Sequence, residues 1–158
     1  MGNSSQHSTW GAMMRPNVEL PRTSILLVDG SKNHRAHWAD QLKCCSPAYE
    51  ILEAADGQSA LDIYRSRPVD CVVLELSLPD QSGFPTLVEL VPIASRPRVA
   101  VVVLTLMTHR GLWELAKQNG AFACLHKDYT TGEDLDKAIQ RAIAFVGQMP
   151  KEDRYRPI

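Results

Sequence analysis

Short apolar runs alternate along the chain with longer segments in which apolar residues recur every three or four positions. The short runs predict buried strands, and the longer segments predict amphipathic helices. Glycine, proline and Asp-Gly pairs separate many of these segments, as is typical of turns. The predicted strands cover residues 24–30, 49–56, 71–76, 98–105 and 122–127, and the predicted helices cover residues 33–45, 57–67, 84–94, 109–120 and 130–148.

Several helix ends carry signals of their own. Thr131 followed by Asp134 is a capping-box arrangement, which places a helix N-terminus at this point. Gly120 is expected just beyond the end of the fourth helix, where a left-handed backbone favours glycine. Pro47 is expected to end the first helix, and Pro92 to end or distort the third, because proline has no N–H to donate.

Strict alternation of strands and helices predicts an α/β fold with a doubly wound, five-stranded parallel sheet in three α/β/α layers. The strands are continuously apolar, so helices are expected to cover both faces of the sheet. We predict one domain over residues 24–147. The polar residues 1–23 are expected to be a flexible N-terminal extension, and residues 148–158 a charged C-terminal tail.

Composition narrows the class of protein only slightly. The 158 residues are 44% hydrophobic and 22% charged, with a net charge of −1, which is ordinary for a soluble globular domain. A nearly neutral chain has no electrostatic preference for nucleic acid or anionic lipid. The longest apolar run, at residues 99–106, is too short to span a bilayer, and the first residues lack the apolar core of a signal peptide. We therefore expect a cytoplasmic protein.

Cysteine and histidine show no metal-ligand spacing. The cysteines form no C-x-x-C pair, so we predict small buried apolar residues in a reducing compartment. Cys45 continues a helical stripe with Trp38 and Leu42, which supports burial of that cysteine. The histidines are interpreted as surface or helix residues. The four cysteines are Cys44, Cys45, Cys71 and Cys124.

Polar residues end four of the predicted strands. Asp29 follows the first strand, Glu75 ends the third, Thr105 ends the fourth and Lys127 ends the fifth. Working sites of doubly wound sheets lie beyond the carboxyl ends of the strands, so these side chains are expected to converge. Two carboxylates, a hydroxyl and an ammonium could hold a hard cation and a phosphate group.

Taken together, these segments resemble the receiver domain of two-component response regulators, which has the CheY-like fold. The resemblance extends over residues 24–147 and implies the strand order 2-1-3-4-5. It is carried by "ILLVDG" (25–30), "VVLELSLPDQSG" (72–83), "VVVLT" (101–105), "NGAFACLHKD" (119–128) and the "LDKAI" of the last helix.

The resemblance implies a site for a phosphoryl group. In the family, an acidic pair after the first strand binds Mg²⁺, and an aspartate at the end of the third strand accepts a phosphoryl group from a histidine kinase. Thr105 and Lys127 match the two family residues that sense this group. Asp29 matches the first acid of the pair, and Ser77 would offer a backbone carbonyl to the metal.

Two positions depart from the family pattern. Glu75 stands at the phosphoacceptor position, and Gly30 stands where the second acid, usually the main direct metal ligand, belongs. Phosphoryl transfer depends on placing the nucleophile and neutralising charge, and these changes weaken both. No cofactor is therefore required, and Mg²⁺ binding by Asp29, Glu75 and Ser77 is expected to be weak. A Glu75–Lys127 ion pair is expected to hold one conformation without phosphate or metal.

Three functions follow in order of preference. The first is a non-enzymatic pseudo-receiver that acts by protein–protein interaction without conventional aspartate phosphorylation. The second is a receiver that is still phosphorylated by a histidine kinase or a small phosphodonor. The third is a flavodoxin-type cofactor-binding protein, for which "DGSKNH" (29–34) is a thin candidate phosphate loop.

The expected output surface is the face that the family builds from the fourth helix, fifth strand and fifth helix. Trp113 lies one position off the apolar stripe around Leu112 and Leu115, so we expect it on this face; the alternative is an indole lying flat against a neighbouring helix. Cys124 occupies a position where many family members carry a rotating aromatic ring. The expected partners are a histidine kinase or downstream signalling protein and a second copy of the chain, with no direct contact to nucleic acid or membrane.

Overall fold

The computed structural model describes residues 22–148, and five strands alternate with five α-helices along them. The predicted extension (1–23) and tail (148–158) lie almost entirely outside this range. The strands are β1 (Ser24–Val28), β2 (Glu50–Ala54), β3 (Cys71–Leu74), β4 (Ala100–Thr105) and β5 (Ala123–His126). The helices are α1 (Lys32–Cys45), α2 (Gly57–Ser66), α3 (Gly83–Leu90), α4 (Arg110–Gln118) and α5 (Gly132–Gly147), with a 3₁₀ turn at Lys127–Tyr129.

The strands form one parallel sheet in the order β2-β1-β3-β4-β5, which confirms the predicted fold class. Successive side chains of a strand point to opposite faces, so each central strand contributes to two cores. Leu26 and Val28 of β1 pack with α2, α3 and α4. Ile25 and Leu27 pack on the other face with α1 and α5.

The predicted helix ends are confirmed. The Thr131 hydroxyl accepts the backbone N–H of Asp134, and the Asp134 carboxylate accepts the N–H of Thr131, which completes the capping box. Gly120 follows the end of α4 with a φ of +103°. Helix α3 ends at Leu90, before Pro92, because the proline cannot continue the backbone hydrogen bonds.

Two expectations about burial are wrong in part. The central strands β1, β3 and β4 are buried throughout, but the edge strands β2 and β5 are only partly covered. Cys71 and Cys124 are buried as predicted, whereas Cys44 and Cys45 are exposed. The buried stripe of α1 consists of Trp38, Ala39 and Leu42 and stops one turn short of the helix end.

Membrane insertion has no candidate segment in the part of the chain that the structure describes. No helix within residues 22–148 has both the length and the apolar character needed to cross a bilayer.

Candidate functional site

The four polar residues predicted from the strand ends lie together in one cleft. Strands β1, β3, β4 and β5 are neighbours in the sheet, so the residues at their carboxyl ends share one edge. Asp29, Glu75, Thr105 and Lys127 line a cleft of about 590 Å³ at this edge. The apolar part of its wall consists of Leu78, Pro79, Leu106 and Met107, and Gly30, Ser31, His34 and Ser77 also line it.

The ammonium of Lys127 is the centre of the site. Its Nζ lies 2.6 Å from Asp29 Oδ2 and 2.8 Å from Glu75 Oε2. A third contact, 3.0 Å long, joins Nζ to Nδ1 of His34. An ammonium carries three protons, so each of them has one acceptor in this arrangement. The Glu75–Lys127 ion pair expected from the sequence is therefore present.

The Glu75 carboxylate is buried and bonded at both oxygens. Its side chain is 5% exposed. Oε1 accepts hydrogen bonds from the Thr105 hydroxyl at 2.5 Å and from the backbone N–H of Ser77 at 2.9 Å. Oε2 is bonded to Lys127. Buried carboxylates are stable only when they are paired or hydrogen-bonded, and Glu75 meets this requirement with groups of its own chain.

Arg35 holds Asp29 in place from the first turn of α1. Asp29 Oδ1 accepts the backbone N–H of Ser31 at 2.8 Å, and Arg35 Nη1 donates to the Asp29 carbonyl at 2.6 Å. Arg35 Nε donates to Glu53 on β2 at 3.1 Å. Neither His34 nor Arg35 was predicted at the site. Helical periodicity identifies the packed face of a helix, but it does not show what a polar side chain in the first turn will contact.

Gly30 is packed against the loop that follows β3. A Cβ atom at this position would lie 2.7 Å from both Cγ and Cδ of Pro79, closer than two such atoms can approach. An acidic residue at position 30 would therefore require the Pro79 loop to move. At the position where the family has its second acid, this chain therefore has no side-chain ligand, and the Pro79 ring leaves no room for one.

Trp113 and Cys124 are the two residues predicted for the output surface. Cys124 is buried in the core on the α2–α3–α4 side, and Trp113 is half-buried against the same core. Burial of Cys124 agrees with the prediction made for the cysteines, and the Trp113 ring follows the alternative of packing inward. A contribution of either residue to an output surface stays a prediction. The large apolar side chains that are exposed on α4, just before β5 and on α5 are Leu115, Phe122 and Phe145.

The chain belongs to the response regulator receiver domain family. The sequence pattern of that domain matches residues 25–140. This range contains nearly all of the sheet and every site residue described above. Family membership favours the two receiver hypotheses over a flavodoxin-type protein, and it assigns the chain to two-component signal transduction.

Curated relatives and a solved structure agree with this assignment. The chain is 32% identical over 126 residues to the transcriptional regulatory protein PdtaR of Mycobacterium tuberculosis, covering 79% of this chain and 58% of that protein. It is 29% identical over 136 residues to the nitrate/nitrite response regulator protein NarL of Escherichia coli K12, covering 85% and 60%. The chain thus spans about three fifths of each of these relatives.

A response regulator receiver domain protein from Clostridium thermocellum has a similar solved structure. The TM-score is 0.67 at 29% identity, and the match covers 78% of this chain and 95% of that one.

Proposed function

We propose that this chain is a pseudo-receiver, which signals by protein–protein interaction without conventional aspartate phosphorylation. The observation that carries the proposal is the bonding of Lys127 to Asp29 and Glu75 at 2.6 and 2.8 Å. The residues that would receive and sense a phosphoryl group bond to one another instead. The site thereby holds one conformation with the charges of the chain alone.

Geometry at Glu75 supports this proposal. Both of its oxygens already have close partners, and an incoming phosphorus atom would have to displace Lys127 or the Thr105 hydroxyl. A glutamate also carries one negative charge, whereas a phosphoryl group carries about 1.5 to 2. The present arrangement therefore reproduces only part of the charge of a phosphorylated aspartate.

Metal binding fits the site poorly. Asp29 Oδ2 and Glu75 Oε2 are both bonded to Lys127. The other Asp29 oxygen, Oδ1, accepts the backbone N–H of Ser31. Gly30 supplies no side-chain oxygen, and the Pro79 ring excludes a larger residue. Mg²⁺ favours near-octahedral oxygen ligands. We propose that the Lys127 ammonium serves as the cation of this site, so no step of the function depends on a metal.

Output is proposed to occur through a protein surface. Phe122 and Phe145 are 38% and 44% exposed, and their ring centroids lie 5.7 Å apart. Leu115 on α4 is 46% exposed. Aromatic side chains of this kind are typical of the buried centre of an interface. The proposed partners are a signalling protein, either a histidine kinase or a downstream target, and a second copy of the chain.

Intact-mass measurement after incubation with acetyl phosphate and Mg²⁺ tests the proposal. The wild type should gain no phosphoryl group. The matched variant combines Glu75→Asp and Gly30→Asp with Pro79→Ala, because the proline ring blocks an acid at position 30, and it should become phosphorylated. Mapping of the modified peptide would show whether the phosphoryl group is on the shortened carboxylate at position 75 of this variant.

Stoichiometric phosphorylation of the wild type would overturn the pseudo-receiver and favour a receiver that still accepts phosphoryl groups. A folded triple variant that gains no phosphoryl group would show that Gly30 and Glu75 do not account for the absence of phosphorylation in the wild type. Pro79→Ala alone is the control, and it should remain unphosphorylated.

A further inference from the structure

The cleft at the carboxyl edge of the sheet has the size of a small-molecule site. Its volume of about 590 Å³ falls within the range of roughly 300–1,000 Å³ that is typical of ligand pockets. The loops that follow β1, β3 and β4 contribute to its walls. This volume is several times that of a phosphoryl group, so the cleft has room for an organic molecule of moderate size.

The apolar part of the cleft wall is only partly covered by the protein. Of its four residues, Leu106 and Met107 are 47% and 36% exposed. Exposed apolar side chains are ordinary when they are scattered, but adjacent ones in a concave site are typical of ligand binding. A molecule that lies against these two side chains would remove apolar surface from water, which favours its binding.

The charged groups of the cleft are already paired within the chain. All three protons of the Lys127 ammonium have acceptors. Both carboxylate oxygens of Asp29 and both of Glu75 are bonded to donors of the chain. Two carboxylates against one ammonium leave the cleft with one excess negative charge. A charged ligand would therefore find no unpaired partner to compensate the loss of its own hydration.

Two uncharged hydrogen-bond donors remain on the cleft wall. An ammonium can only donate, so Nδ1 of His34 accepts from Lys127 Nζ at 3.0 Å, and the proton of the neutral imidazole is on Nε2. Within residues 22–148, Nε2 has no hydrogen-bond partner, and the His34 side chain is 42% exposed. The Ser77 hydroxyl has no partner among these residues either, because only the backbone N–H of Ser77 is bonded, to Glu75. Both donors are therefore available to a bound molecule.

We propose that this cleft binds a small, uncharged and largely apolar molecule that carries a carbonyl or a similar hydrogen-bond acceptor. The apolar body lies against Leu106 and Met107, and the acceptor takes a proton from His34 Nε2 or from the Ser77 hydroxyl. The inference rests on the proposed function, because it assigns to the cleft an input other than a phosphoryl group. In that role the bound molecule, and not phosphorylation, regulates the protein.

Titration with methyl naphthyl ketone, followed by NMR of the backbone amides, tests the class of ligand. This probe is uncharged and has an apolar ring system and one carbonyl acceptor. Saturable shifts are expected for residues 30–31, 77 and 106–107 of the cleft wall, with a Kd of about 1 mM or tighter, as ligands of this size can reach. Naphthoate and naphthylmethylammonium have nearly the same shape but carry a charge, so they should bind at least about tenfold more weakly. Absence of saturable shifts with the ketone, or equal binding of the charged probes, would overturn the proposal.

Variants of the two donors test how the carbonyl is recognised. His34→Leu combined with Ser77→Ala should weaken ketone binding by about fivefold or more, the effect of losing at least one hydrogen bond. His34→Gln keeps both a donor and an acceptor for Lys127, so it should bind the ketone nearly as well as the wild type. His37→Leu is the matched control, because His37 is exposed on the same helix and does not line the cleft. Equal ketone binding by the folded double variant and His37→Leu would refute recognition by these donors.

Leu106→Ser tests the apolar wall and should weaken binding of the ketone by about fivefold, because part of the buried apolar area is lost. Ile93→Ser is its control, since Ile93 is 54% exposed but does not line the cleft. Similar affinities of these two variants would contradict binding against Leu106.

The ligand site and the proposed function can fail separately. Ketone binding is measured without acetyl phosphate or Mg²⁺, so it does not depend on the intact-mass result. A wild type that neither binds the ketone nor gains a phosphoryl group would overturn the ligand site alone. A wild type that binds the ketone and is also phosphorylated would overturn the pseudo-receiver alone.

Discussion

Lys127 Nζ lies 2.8 Å from Glu75 Oε2, and the two side chains are only 7% and 5% exposed. A buried ion pair gains little stability over a well-packed apolar pair, because desolvation opposes the attraction. Removing one partner is costly, however, because the other charge remains buried without compensation. We therefore expect the pair to determine which conformation the site adopts more than it increases the free energy of unfolding.

Lys127→Met should lower the free energy of unfolding by roughly 3–5 kcal/mol, the range for breaking a buried pair. Denaturant titration followed by circular dichroism measures this change. The double variant Lys127→Met/Glu75→Gln should regain part of the loss, because one of the two stranded charges is removed.

Arg65→Met is the matched control for that experiment. Arg65 is bonded to Glu89 at 2.8 Å, but their side chains are 60% and 52% exposed. Exposed pairs contribute less than about 1 kcal/mol. A Lys127→Met variant no less stable than Arg65→Met would show that Lys127 is not required to compensate the carboxylates.

Sequence patterns were sufficient to predict the fold and the four residues at the centre of the site. Continuous apolar strands alternating with helices specify a parallel sheet, and this sheet brings Asp29, Glu75, Thr105 and Lys127 to one edge. The bonds of His34 and Arg35 depend on side-chain conformations in the first turn of α1. No local pattern specifies those conformations, so both residues were missed.

Burial on α4 was the least predictable feature. Leu115 belongs to an apolar stripe in the sequence but is 46% exposed, whereas Trp113, one position off that stripe, is half-buried. The aromatic ring is long enough to pack on the core from the flank of the helix, and its N–H finds the Met107 carbonyl. Because α4 is short, the spacing of its apolar residues does not determine exactly which face of the helix is buried.

Gly120→Ala should destabilise the protein by at least about 1–2 kcal/mol, the cost of a left-handed backbone for a residue with a Cβ atom. The φ of Gly120 is +103°, and an added Cβ would lie 2.4 Å from Val91 Cγ1. Thermal and denaturant unfolding measure the effect. Gly147→Ala is the control, because no atom lies within 4 Å of its added Cβ; equal stability of the two variants would contradict the described end of α4.

Phe145→Ser should weaken the proposed self-association through the α4–β5–α5 face by about tenfold or more, as expected for an aromatic residue central to an interface. Sedimentation velocity over a range of concentrations measures the association. The ring lies beside Phe122 and Phe145 is 44% exposed, so a little under half of the substituted residue faces solvent in the single chain.

Val88→Ser on α3 is the control for this surface, because Val88 is 46% exposed on a different helix. It should leave association unchanged. A wild type that stays monomeric at all concentrations would refute the proposed homodimer. Equal weakening of association by both variants would show that association does not depend specifically on the α4–β5–α5 face.

Alkaline pH should destabilise the protein through Tyr49. Burial, together with a hydrogen bond to Asp136, raises the pKa of Tyr49 from 10.0 to about 12. A group with a raised pKa in the folded state stabilises the fold fully below its unfolded value, and this contribution is lost as pH rises through the folded value. The free energy of unfolding should therefore fall between pH 10 and about pH 12.

Tyr49→Phe should remove this part of the pH dependence, because phenylalanine has no proton to lose. The variant should be less stable than the wild type below pH 10, and the difference should shrink as the wild type approaches pH 12. Asp136→Asn, which keeps the shape of the acceptor but removes its charge, should lower the pKa of Tyr49 only in part. Parallel stability profiles of the wild type and Tyr49→Phe across this range would contradict a raised pKa at Tyr49, since the slope reports the difference in bound protons between the folded and unfolded states.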